Sequence, residues 1–590
     1  MYILGISCWY HDSAAALLKD GNIIAASEEE RFTRQKHDFS FPINVINFCL
    51  DQAGIKPADI DYVVFYDKPI IKFERIIASI LKYTPKSAGV FREAIPLWLK
   101  TKLKFQKKIK KTLNIEYDKV LFSKHHHSHG ASSFLVSPFK EAAILNIDGV
   151  GEQATASLGY GKNNAVKIKK EMHFPHSYGL LYSAFTAFLG FRVNNGEYKV
   201  MGMAPYGNPK YLDKIEKVAT LNPDGSLKLN MNYFSFPYST KKTYTSEFTN
   251  LFGKPKEPGS LFYTSKTKFP VYLKEKPPDY KEEVQKNQYY ADIAASIQKF
   301  LEISLLKIAR YLKTETDMDN LCYAGGVALN SKANAELVNS GIFKDIYIQP
   351  ASTDAGGALG AALWCWHVVL DNKKRHILDK TYLGKSYSQS KIIQSVNRKE
   401  LTYSKLNDKN LFKKVSSAIA SGKVIAWYQG RTEWGPRALG NRSILADPRD
   451  PKMKNKVNRM IKFREPYRPF APSILKEDVD DYVLRKKEIY PDKFMLVTYK
   501  VRKEKQKLIP AVTHINKTSR IQSVDKTINP RYWKLINTFK KQTGIGLLLN
   551  TSFNLKGEPI VNSPEDAVKT FLKSGLGLLV MNNYLITKES

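Results

Sequence analysis

A pattern of strand, glycine turn, hairpin and helix occurs twice in the N-terminal part of the chain, and it limits the fold more than any other feature. In the first copy, an Asp20-Gly21 pair lies between two apolar runs, which is a strong hairpin signal. The second copy repeats the pattern around Gly161 to Asn164. The repetition predicts a duplicated α/β unit. Its predicted elements are strands at 2–8, 14–19, 22–26, 142–147, 154–160 and 165–172 and helices at 42–54 and 178–189.

The segment KHHHSHG, residues 124–130, holds four of the eleven histidines. His125 and His129 are four residues apart, so a helix places both imidazoles on one face. Two nitrogen ligands on one helical face are a common way to hold a metal ion. The flanks support a metal site over a solvated helix end, because a short strand (120–122) precedes the segment and a helix continues past it.

Two later motifs place glycines where a strand meets a helix. A strand over 321–324 leads into Gly325-Gly326, with a helix after Asn330, and Asp354 opens the helix that follows the strand at 346–348. Such glycines let backbone N–H groups approach a phosphate, and a helix N-terminus favours negative charge. Either motif alone is more typical of tight packing than of a phosphate site.

A second α/β domain is predicted to begin near residue 407. Its first strand, 424–427, is followed by the densest group of fixed charges in the chain, which includes Arg437, Arg442, Lys462 and Arg468. Guanidinium groups bind phosphate oxygens in a forked geometry. Because glycines, prolines and apolar residues separate these cations, we expect a phosphate pocket here and not a solvated face.

Composition narrows the class of protein. The 590 residues are 43% hydrophobic and carry a net charge of +36, which favours anionic partners. The four cysteines form no CxxC pair, which argues against a cysteine zinc site and for a reducing compartment. Without a signal peptide or a long apolar run, a cytoplasmic protein without a membrane partner is expected. A Lys-rich helical stretch at 70–115 and a polar excursion at 207–285, predicted to lie outside the core, match no motif.

Taken together, the motifs resemble the O-carbamoyltransferases of the nodulation-factor and cephamycin type, with the tobramycin carbamoyltransferase as a close analogue. The matching stretches run in family order over nearly the whole chain: EEERFTRQKHD, HHHSHGASSF, GEYKVMGMAPYG, AGGVALN, DAGGALGAA, EWGPRALGNRSILADPR, REPYRPFAPS and NTSFNLKGEPIV. The implied fold is a duplicated actin-like ATPase-type domain (residues 1–370), similar to tRNA threonylcarbamoyl transferases. A linker (371–405) and an α/β acyl-adenylate-forming, YrdC-like domain (406–590) follow.

The resemblance also implies roles for particular residues. His125, His129, Asp148 and Asp354 match metal-ligand positions, and the metal there is Fe²⁺, although imidazole and carboxylate ligands also suit manganese or zinc. The positions for carbamoyl phosphate and Mg²⁺-ATP are Arg437, Arg442, Lys462, Arg468, Arg520 and Asn550. Those for the nucleotide in the N-terminal domain are Lys199, Gly325, Gly326 and Asn330.

Three further residues flank the N-terminal strands, and they are candidates for catalysis. His11, Asp12 and His37 could supply the base or orienting carboxylate that a hydroxyl acceptor needs. The alternative, in which Asp12 caps a turn and His37 lies at the surface, is equally compatible with the sequence.

The leading hypothesis is therefore ATP-dependent carbamoyl transfer to a hydroxyl of a small molecule such as a sugar, an antibiotic or another natural product. Its rivals are threonylcarbamoyl modification of tRNA and a basic nucleic-acid-binding protein without enzymatic activity. The ordered glycine and histidine motifs argue against the second rival, so nucleic acid is not the expected partner. The sequence leaves open whether the chain forms a homodimer.

Overall fold

The computed structural model describes residues 1–100, 104–267, 269, 275–465 and 467–588. The chain divides into two compact units. Unit one comprises 1–24, 39–269 and 276–377, and unit two comprises 25–38, 270–275 and 378–590. None of the described helices is both long and apolar enough to cross a bilayer.

Unit one begins with a five-stranded mixed sheet in which the first strand is central. Its spatial order is β3-β2-β1-β4-β5, with β1 antiparallel to β2 and parallel to β4. The chain passes from unit one to unit two within β3. The strands are β1 (Tyr2–Ser7), β2 (Ala14–Lys19), β3 (Asn22–Glu28), β4 (Tyr62–Phe65) and β5 (Val120–Phe122).

The second sheet of unit one repeats this arrangement strand for strand. Its order is β12-β11-β6-β7-β8, again with a central first strand, an antiparallel hairpin on one side and parallel strands on the other. Duplication of the same five-stranded unit confirms the predicted actin-like fold class. The strands are β6 (Glu141–Ile147), β7 (Ala154–Lys162), β8 (Ala165–His173), β11 (Asn320–Ala324) and β12 (Asp345–Ile348).

Helices of unit one connect and cover these sheets. The Lys-rich stretch forms three of them, α3, α4 and α5, as predicted. The helices are α2 (Ile43–Ala53), α3 (Pro69–Lys82), α4 (Ala88–Lys100), α5 (Phe105–Leu113), α6 (His125–Phe134), α7 (Tyr178–Phe188), α8 (Glu197–Met203), α9 (Leu212–Val218), α10 (Ser246–Phe252), α11 (Tyr280–Thr316), α12 (Ser331–Ser340) and α13 (Asp354–Trp364).

The prediction that residues 207–285 lie outside the core is wrong for the described part of this stretch. It forms α9, α10 and a small hairpin of β9 (Ala219–Leu221) and β10 (Leu227–Leu229). Phe248 and Phe252 are buried, and their rings pack on Phe185 of α7 at centroid distances of 5.1 Å. The polar composition concealed these few aromatic anchors. Residues 268 and 270–274 of the stretch lie outside the described residues.

Close packing of two small-residue helices sets the geometry of the centre of unit one. A Cβ atom on Gly360 of α13 would lie 1.8 Å from the backbone oxygen of Ser128 in α6. A Cβ on Gly5 of β1 would lie 1.9 Å from the backbone oxygen of Ala358. Only glycine allows approaches this close, so α13 lies directly on both α6 and β1. This packing brings the first residue of α13, Asp354, toward the histidines of α6.

Unit two is built on an eight-stranded mixed sheet of order β13-β23-β22-β14-β15-β21-β16-β20. Its strands are β13 (Thr402–Lys405), β14 (Ile425–Tyr428), β15 (Arg442–Ala446), β16 (Ala471–Leu475), β20 (Gln522–Val524), β21 (Leu547–Ser552), β22 (Leu578–Met581) and β23 (Tyr584–Thr587). A three-stranded sheet contains β17 (Val483–Leu484), β18 (Thr498–Val501) and β19 (Thr518–Arg520).

The helices of unit two complete an α/β domain, in agreement with the predicted class. They are α1 (Glu30–Thr33), α14 (Gln389–Asn397), α15 (Asp408–Ala420), α16 (Met453–Val457), α17 (Val479–Tyr482), α18 (Pro530–Thr543) and α19 (Pro564–Lys573). The stretch predicted as a linker, 371–405, contains α14 and β13, and its part from residue 378 onward belongs to unit two.

Candidate metal centre and candidate anion site

The histidine helix α6 is anchored at both its start and its middle. The backbone N–H of His125 donates to the Glu152 carboxylate at 2.8 Å, and the Ser128 hydroxyl donates to the backbone oxygen of Tyr66 at 2.9 Å. His125 and His129 are completely buried. Both imidazoles therefore lie in fixed positions on the inner face of the helix.

Two aspartates that follow strands of the same sheet, β6 and β12, face these imidazoles. Asp148 follows β6, and its Oδ1 accepts hydrogen bonds from the backbone N–H groups of Gly149 (2.7 Å) and Gly326 (3.3 Å). The Tyr66 hydroxyl donates to Oδ2 of Asp354 at 3.0 Å. The other oxygen of Asp354, Oδ1, is buried and accepts no hydrogen bond within the described parts of the chain. A buried carboxylate oxygen left in this way is suited to a cation.

The distances between the four side chains fit a single metal ion. The Nε2 atoms of His125 and His129 lie 3.1 Å from each other, and each lies 3.1 Å from Oδ2 of Asp148. Oδ1 of Asp354 lies 3.7 and 3.9 Å from the same two nitrogens. Ligands about 2.1 Å from a common ion stand about 3.0–3.5 Å apart at coordination angles from 90° to tetrahedral. All four ligand atoms lie within 4.8 Å of one another, so the donor set suits a transition metal.

The contacts between the side chains of this cluster shift their pKa values. Burial raises the pKa of Asp148, but the hydrogen bonds to His125 and His129 outweigh it and hold that pKa well below its usual range. Burial and the nearby Asp354 carboxylate raise the pKa of Tyr66 well above its usual value, so its hydroxyl remains a donor. Burial, followed by the neighbouring His125 and His129, lowers the pKa of His126 well below the usual range, so this imidazole is neutral.

The candidate catalytic residues fall in different units. His11 and Asp12 lie in the loop after β1 of unit one, where Nδ1 of His11 is 3.2 Å from Oδ2 of Asp12. Asp12 has a φ of 51°, a left-handed conformation that is uncommon outside glycine. His37 belongs to unit two, and its backbone N–H donates to the carboxylate of Glu30 at 2.8 Å.

Three of the predicted nucleotide positions of unit one, Gly325, Gly326 and Asn330, lie between β11 and α12, and the fourth, Lys199, lies in α8. Gly325 has a φ of 92°, and a Cβ there would lie 2.2 Å from the backbone oxygen of Ile147, so glycine is required. Asn330 caps α12 by accepting a hydrogen bond from Ala333, and it also pairs with Gln298. Lys199 lies in α8 with its ammonium group over the ring of Phe191.

Two cations of unit two, Arg520 and Lys462, are buried beside further cations. Burial, followed by Arg437, Arg464 and Arg468, lowers the pKa of Arg520 well below its usual range. Burial, followed by Arg464 and Arg468, does the same for Lys462. We refer to Arg437, Lys462, Arg464, Arg468 and Arg520 as the cationic cluster. Like charges held together in a partly buried site are stabilised by an anion.

Three of the predicted anion-binding residues make hydrogen bonds within the protein. The ammonium group of Lys462 donates to oxygens of Ser552 and Asn554. Arg442 is fully buried; its guanidinium group donates to the backbone oxygens of Gln429, Gly430 and Asn441 and stacks on Tyr428. The amide of Asn550 donates to Ala438, Ser473 and Gln522. Arg442 and Asn550 therefore support the loop that carries Arg437.

Sequence reasoning missed several residues of these sites. Tyr66 directly follows β4, at the carboxyl end of a strand that lies parallel to β1. Ligands often bind at the carboxyl ends of parallel strands, so this position could have identified Tyr66 as a site residue. Lys454 lies beside the cationic cluster, where burial and then Arg464 lower its pKa to about 8. His514 also borders the cluster, and burial, followed by Arg520, lowers its pKa to about 3. Nothing in the local sequence distinguishes Lys454 from the many exposed lysines.

Comparison with known proteins covers almost the entire chain. A family model described as carbamoyltransferase N-terminus matches residues 2–363, and one described as carbamoyltransferase C-terminus matches residues 416–588. The uncharacterised protein sll1178 of Synechocystis sp. is 44% identical over 100% of this chain and 97% of its own length. The nodulation protein NolNO of Sinorhizobium fredii is 36% identical over 98% of this chain and 79% of its own length. Among solved structures, component A of (R)-2-hydroxyglutaryl-CoA dehydratase from Acidaminococcus fermentans covers 63% of this chain and 99% of its own, at 14% identity and a TM-score of 0.31.

Proposed function

We propose that this chain, which belongs to the carbamoyltransferase family, is an ATP-dependent O-carbamoyltransferase whose acceptor is a hydroxyl group of a small molecule. The family establishes that it is an enzyme that transfers a carbamoyl group. The proposal adds the donor chemistry, the use of ATP and the class of acceptor. The same family membership disfavours threonylcarbamoylation of tRNA and a purely nucleic-acid-binding role.

The observation that carries the proposal is the cationic cluster. Carbamoyl phosphate and the triphosphate of ATP are small, highly charged anions, and they need fixed cations to bind. Arg520 and Lys462 are held in a site whose main charged neighbours are further cations. Binding of a phosphate group would relieve this repulsion, so the cluster is well suited to anionic substrates. Arg437 and Arg468 would contact the substrates, while Arg442 and Asn550 would support the loop from behind.

The first half-reaction would take place in unit two. Water would release phosphate from carbamoyl phosphate, leaving carbamate. A carbamate oxygen would then attack the α-phosphorus of ATP, forming carbamoyl adenylate and expelling pyrophosphate. Mg²⁺ would accompany ATP and screen its triphosphate. Arg437, Lys462, Arg468 and Arg520 would hold the phosphates in line for this displacement.

The second half-reaction would use the residues of unit one. The acceptor hydroxyl would attack the carbamoyl carbon, releasing AMP and a proton. His11 and Asp12 would receive this proton or orient the hydroxyl. Lys199, the glycine turn at Gly325 and Gly326, and Asn330 would hold the adenylate.

His125, His129, Asp148 and Asp354 would hold a divalent transition metal, which we assign as Fe²⁺. When bound, such a metal supplies Lewis acidity toward the carbamoyl oxygen or the acceptor hydroxyl. Tyr66 would fix the orientation of Asp354 through its hydrogen bond, and Glu152 would fix the start of the histidine helix. In domain terms, we assign carbamoyl transfer to residues 1–370 and adenylate formation to residues 406–590, joined by 371–405.

Pyrophosphate release tests the proposal. The enzyme should release pyrophosphate from ATP only when carbamoyl phosphate and Mg²⁺ are present. Arg437→Ala and Arg468→Ala should each reduce this rate by about 100-fold or more, because each removes a charge-assisted contact to the reacting phosphates. Arg398→Ala, which removes an exposed arginine of the same unit, is the matched control and should leave the rate unchanged. Undiminished release in both cluster variants would overturn the assignment.

A further inference from the structure

Arg75, a half-buried arginine of α3, has its guanidinium group positioned by an aromatic ring. The central carbon of the group lies 4.8 Å from the centroid of the Phe174 ring. The Nε atom of Arg75 is buried, and the guanidinium group forms no hydrogen bond or ion pair with any residue that the structure describes. A charge withdrawn from water normally has such partners, so an arginine held in this way is suited to an anionic ligand.

The carboxylates near Arg75 are bound to other groups. Burial lowers the pKa of Arg75, and the nearby Asp67 and Glu152 only partly offset this. Asp67 accepts a hydrogen bond from the ammonium group of Lys72 at 2.8 Å. Oε1 of Glu152 accepts hydrogen bonds from the backbone N–H groups of the first residue of the histidine helix α6 and of the residue before α3, at 2.8 and 2.9 Å. Arg75 is therefore the cation of this group that a ligand could use.

The side of α3 that carries Arg75 also contacts the candidate catalytic loop. Lys72 and Arg75 are three residues apart, so they share one side of the helix. The ammonium group of Lys72 lies 5.0 Å from the centroid of the Tyr10 ring, and that ring lies 4.6 Å from the ring of His11. Together with the contact of Glu152 to α6, these contacts connect Arg75 to both the histidine helix and the loop proposed for carbamoyl transfer.

The aromatic ring next to Arg75 leads into the excursion at 207–285. Phe174 lies 6.1 Å from the ring of Phe236, which belongs to this excursion. Eight residues from Arg75, about 12 Å along α3, the ring of Tyr83 lies 5.3 Å from that of Tyr238. Both tyrosines line a cavity of about 1510 Å³. The Lys-rich stretch and the excursion contain none of the motifs by which the family is recognised, so we expect these segments to contact the acceptor and not the adenylate.

We propose that Arg75 binds a negatively charged group, a phosphate or a carboxylate, on the small-molecule acceptor and so makes the enzyme selective for anionic acceptors. This inference deepens the proposed function and rests on it. A guanidinium group binds oxyanions through two parallel hydrogen bonds, and stacking on Phe174 orients its plane for them. A neutral acceptor fits less well, because it would leave a partly buried charge uncompensated.

Chemical modification tests whether Arg75 is an anion site without requiring the enzymatic reaction. Phenylglyoxal reacts with guanidinium groups, and peptide mass spectrometry of the full-length protein measures its rate at Arg75 separately from the arginines of unit two. Sodium sulfate should slow modification of Arg75 by about fivefold or more relative to sodium chloride of the same ionic strength. Arg310, an exposed arginine of α11, is the matched control and should react equally fast in both salts. Equal rates at Arg75 in the two salts would overturn the inference.

Carbamoyl transfer tests which molecule carries the anionic group. A cell metabolite extract is divided on an anion-exchange resin, and incorporation of labelled carbamoyl groups is measured with the bound and the unbound fraction. The wild type should label the bound fraction. Arg75→Gln should need about tenfold or more of that fraction to reach half of its maximal rate, because it loses charge-assisted hydrogen bonds to the acceptor. Arg75→Lys should recover part of the loss, since it keeps the charge but not the forked geometry.

Two controls separate binding of the acceptor from a general loss of function. Arg310→Gln removes an exposed arginine of the same unit and should behave like the wild type in every assay. Pyrophosphate release that depends on carbamoyl phosphate should be the same in all variants, because it is assigned to unit two. A purely structural role of Arg75 would instead lower the melting temperature and the maximal rate, and this result would count against the inference.

Two results of the transfer assay would also overturn the inference. The first is a wild type that labels only the unbound fraction, and the second is an Arg75→Gln variant that labels the bound fraction like the wild type. Slower hydrolysis of the adenylate by Arg75→Gln without any acceptor would assign Arg75 to the adenylate phosphate and would contradict the inference in the same way. Absence of pyrophosphate release from the wild type would contradict the proposed function instead, and the sulfate measurement would still decide whether Arg75 binds an anion.

Discussion

Replacing Arg520 by glutamine should make the free protein more stable, and this sign distinguishes an anion site from an ordinary buried arginine. Most substitutions of a partly buried, positioned side chain are destabilising. Arg520 differs because its main charged neighbours, Arg437, Arg464 and Arg468, are all cations and depress its pKa together with burial. Removing its charge removes three repulsive interactions at once.

The size of the effect follows from the charges. A like-charge interaction in a partly buried site costs on the order of 1 kcal/mol at an intermediate effective dielectric constant. After the loss of packing by the arginine stem is subtracted, Arg520→Gln should raise the free energy of unfolding of unit two by about 1–2 kcal/mol. For a domain of about 200 residues this corresponds to a rise in melting temperature of about 2–8 °C.

A second arginine of the same unit provides the control with the opposite sign. Arg449 donates to both carboxylate oxygens of the buried Asp447, at 2.6–3.1 Å. Arg449→Gln leaves that carboxylate without its cation and should lower the free energy of unfolding by about 1 kcal/mol or more. Both variants lose one charge from unit two, so a general effect of net charge cannot produce opposite signs.

Differential scanning calorimetry in a buffer of low ionic strength, free of phosphate and sulfate, is the assay. Carbamoyl phosphate at about 100 times its dissociation constant should stabilise the wild type by about 2.7 kcal/mol. Arg520→Gln should lose most of this response while starting from a higher melting temperature. A variant that is destabilised like Arg449→Gln, or that keeps the full response to carbamoyl phosphate, would refute the anion site.

Two further predictions concern a ligand orientation and a titration. Tyr66→Phe removes the hydrogen bond to Asp354 without changing the packing. Metal affinity, measured by chelator competition, should therefore fall by about 10-fold or more. An unchanged affinity would show that Tyr66 does not orient the ligand. His514 has a folded-state pKa of about 3, below its unfolded value of about 6.5, so its contribution to stability is complete above pH 6.5 and declines as the pH falls toward 3. Between pH 7 and pH 5 the wild type should lose about 2 kcal/mol on this account, and His514→Gln should lose correspondingly less in denaturant titrations at the two pH values; equal losses would refute the assignment.

Much of unit one could be predicted because its information is local. Hairpins at Asp20-Gly21 and at residues 161–164, the glycine turns and the helical spacing of His125 and His129 each depend on neighbouring residues in the sequence. The repetition of these signals then indicated the duplicated sheets. Asp148 and Asp354 came from the resemblance and not from spacing, and the structure brings both to the two histidines.

What could not be predicted depends on tertiary contacts. No local pattern shows that the guanidinium group of Arg442 donates its hydrogen bonds to carbonyl oxygens of its own loop. Nor does a local pattern show that the Tyr66 hydroxyl bonds to Asp354, which is 288 residues away in the sequence. The burial of Phe248 and Phe252 was hidden by the polar residues around them. The exposure of Leu81 and Phe91 was equally hidden, because a basic amphipathic helix has the same sequence pattern whether its apolar side chains face the protein or the solvent.

The central claim, that adenylate formation and carbamoyl transfer use separate sites with a metal only at the second, is tested most directly by His129→Ala. Metal content, pyrophosphate release that depends on carbamoyl phosphate, and incorporation of labelled carbamoyl groups into a cell metabolite extract are measured on the same preparation. His127→Ala, on the same helix but outside the cluster, is the control. The account predicts that His129→Ala loses the metal and the incorporation but keeps pyrophosphate release, while the control keeps all three. A metal-free His129→Ala that still incorporates the label at the wild-type rate would contradict it.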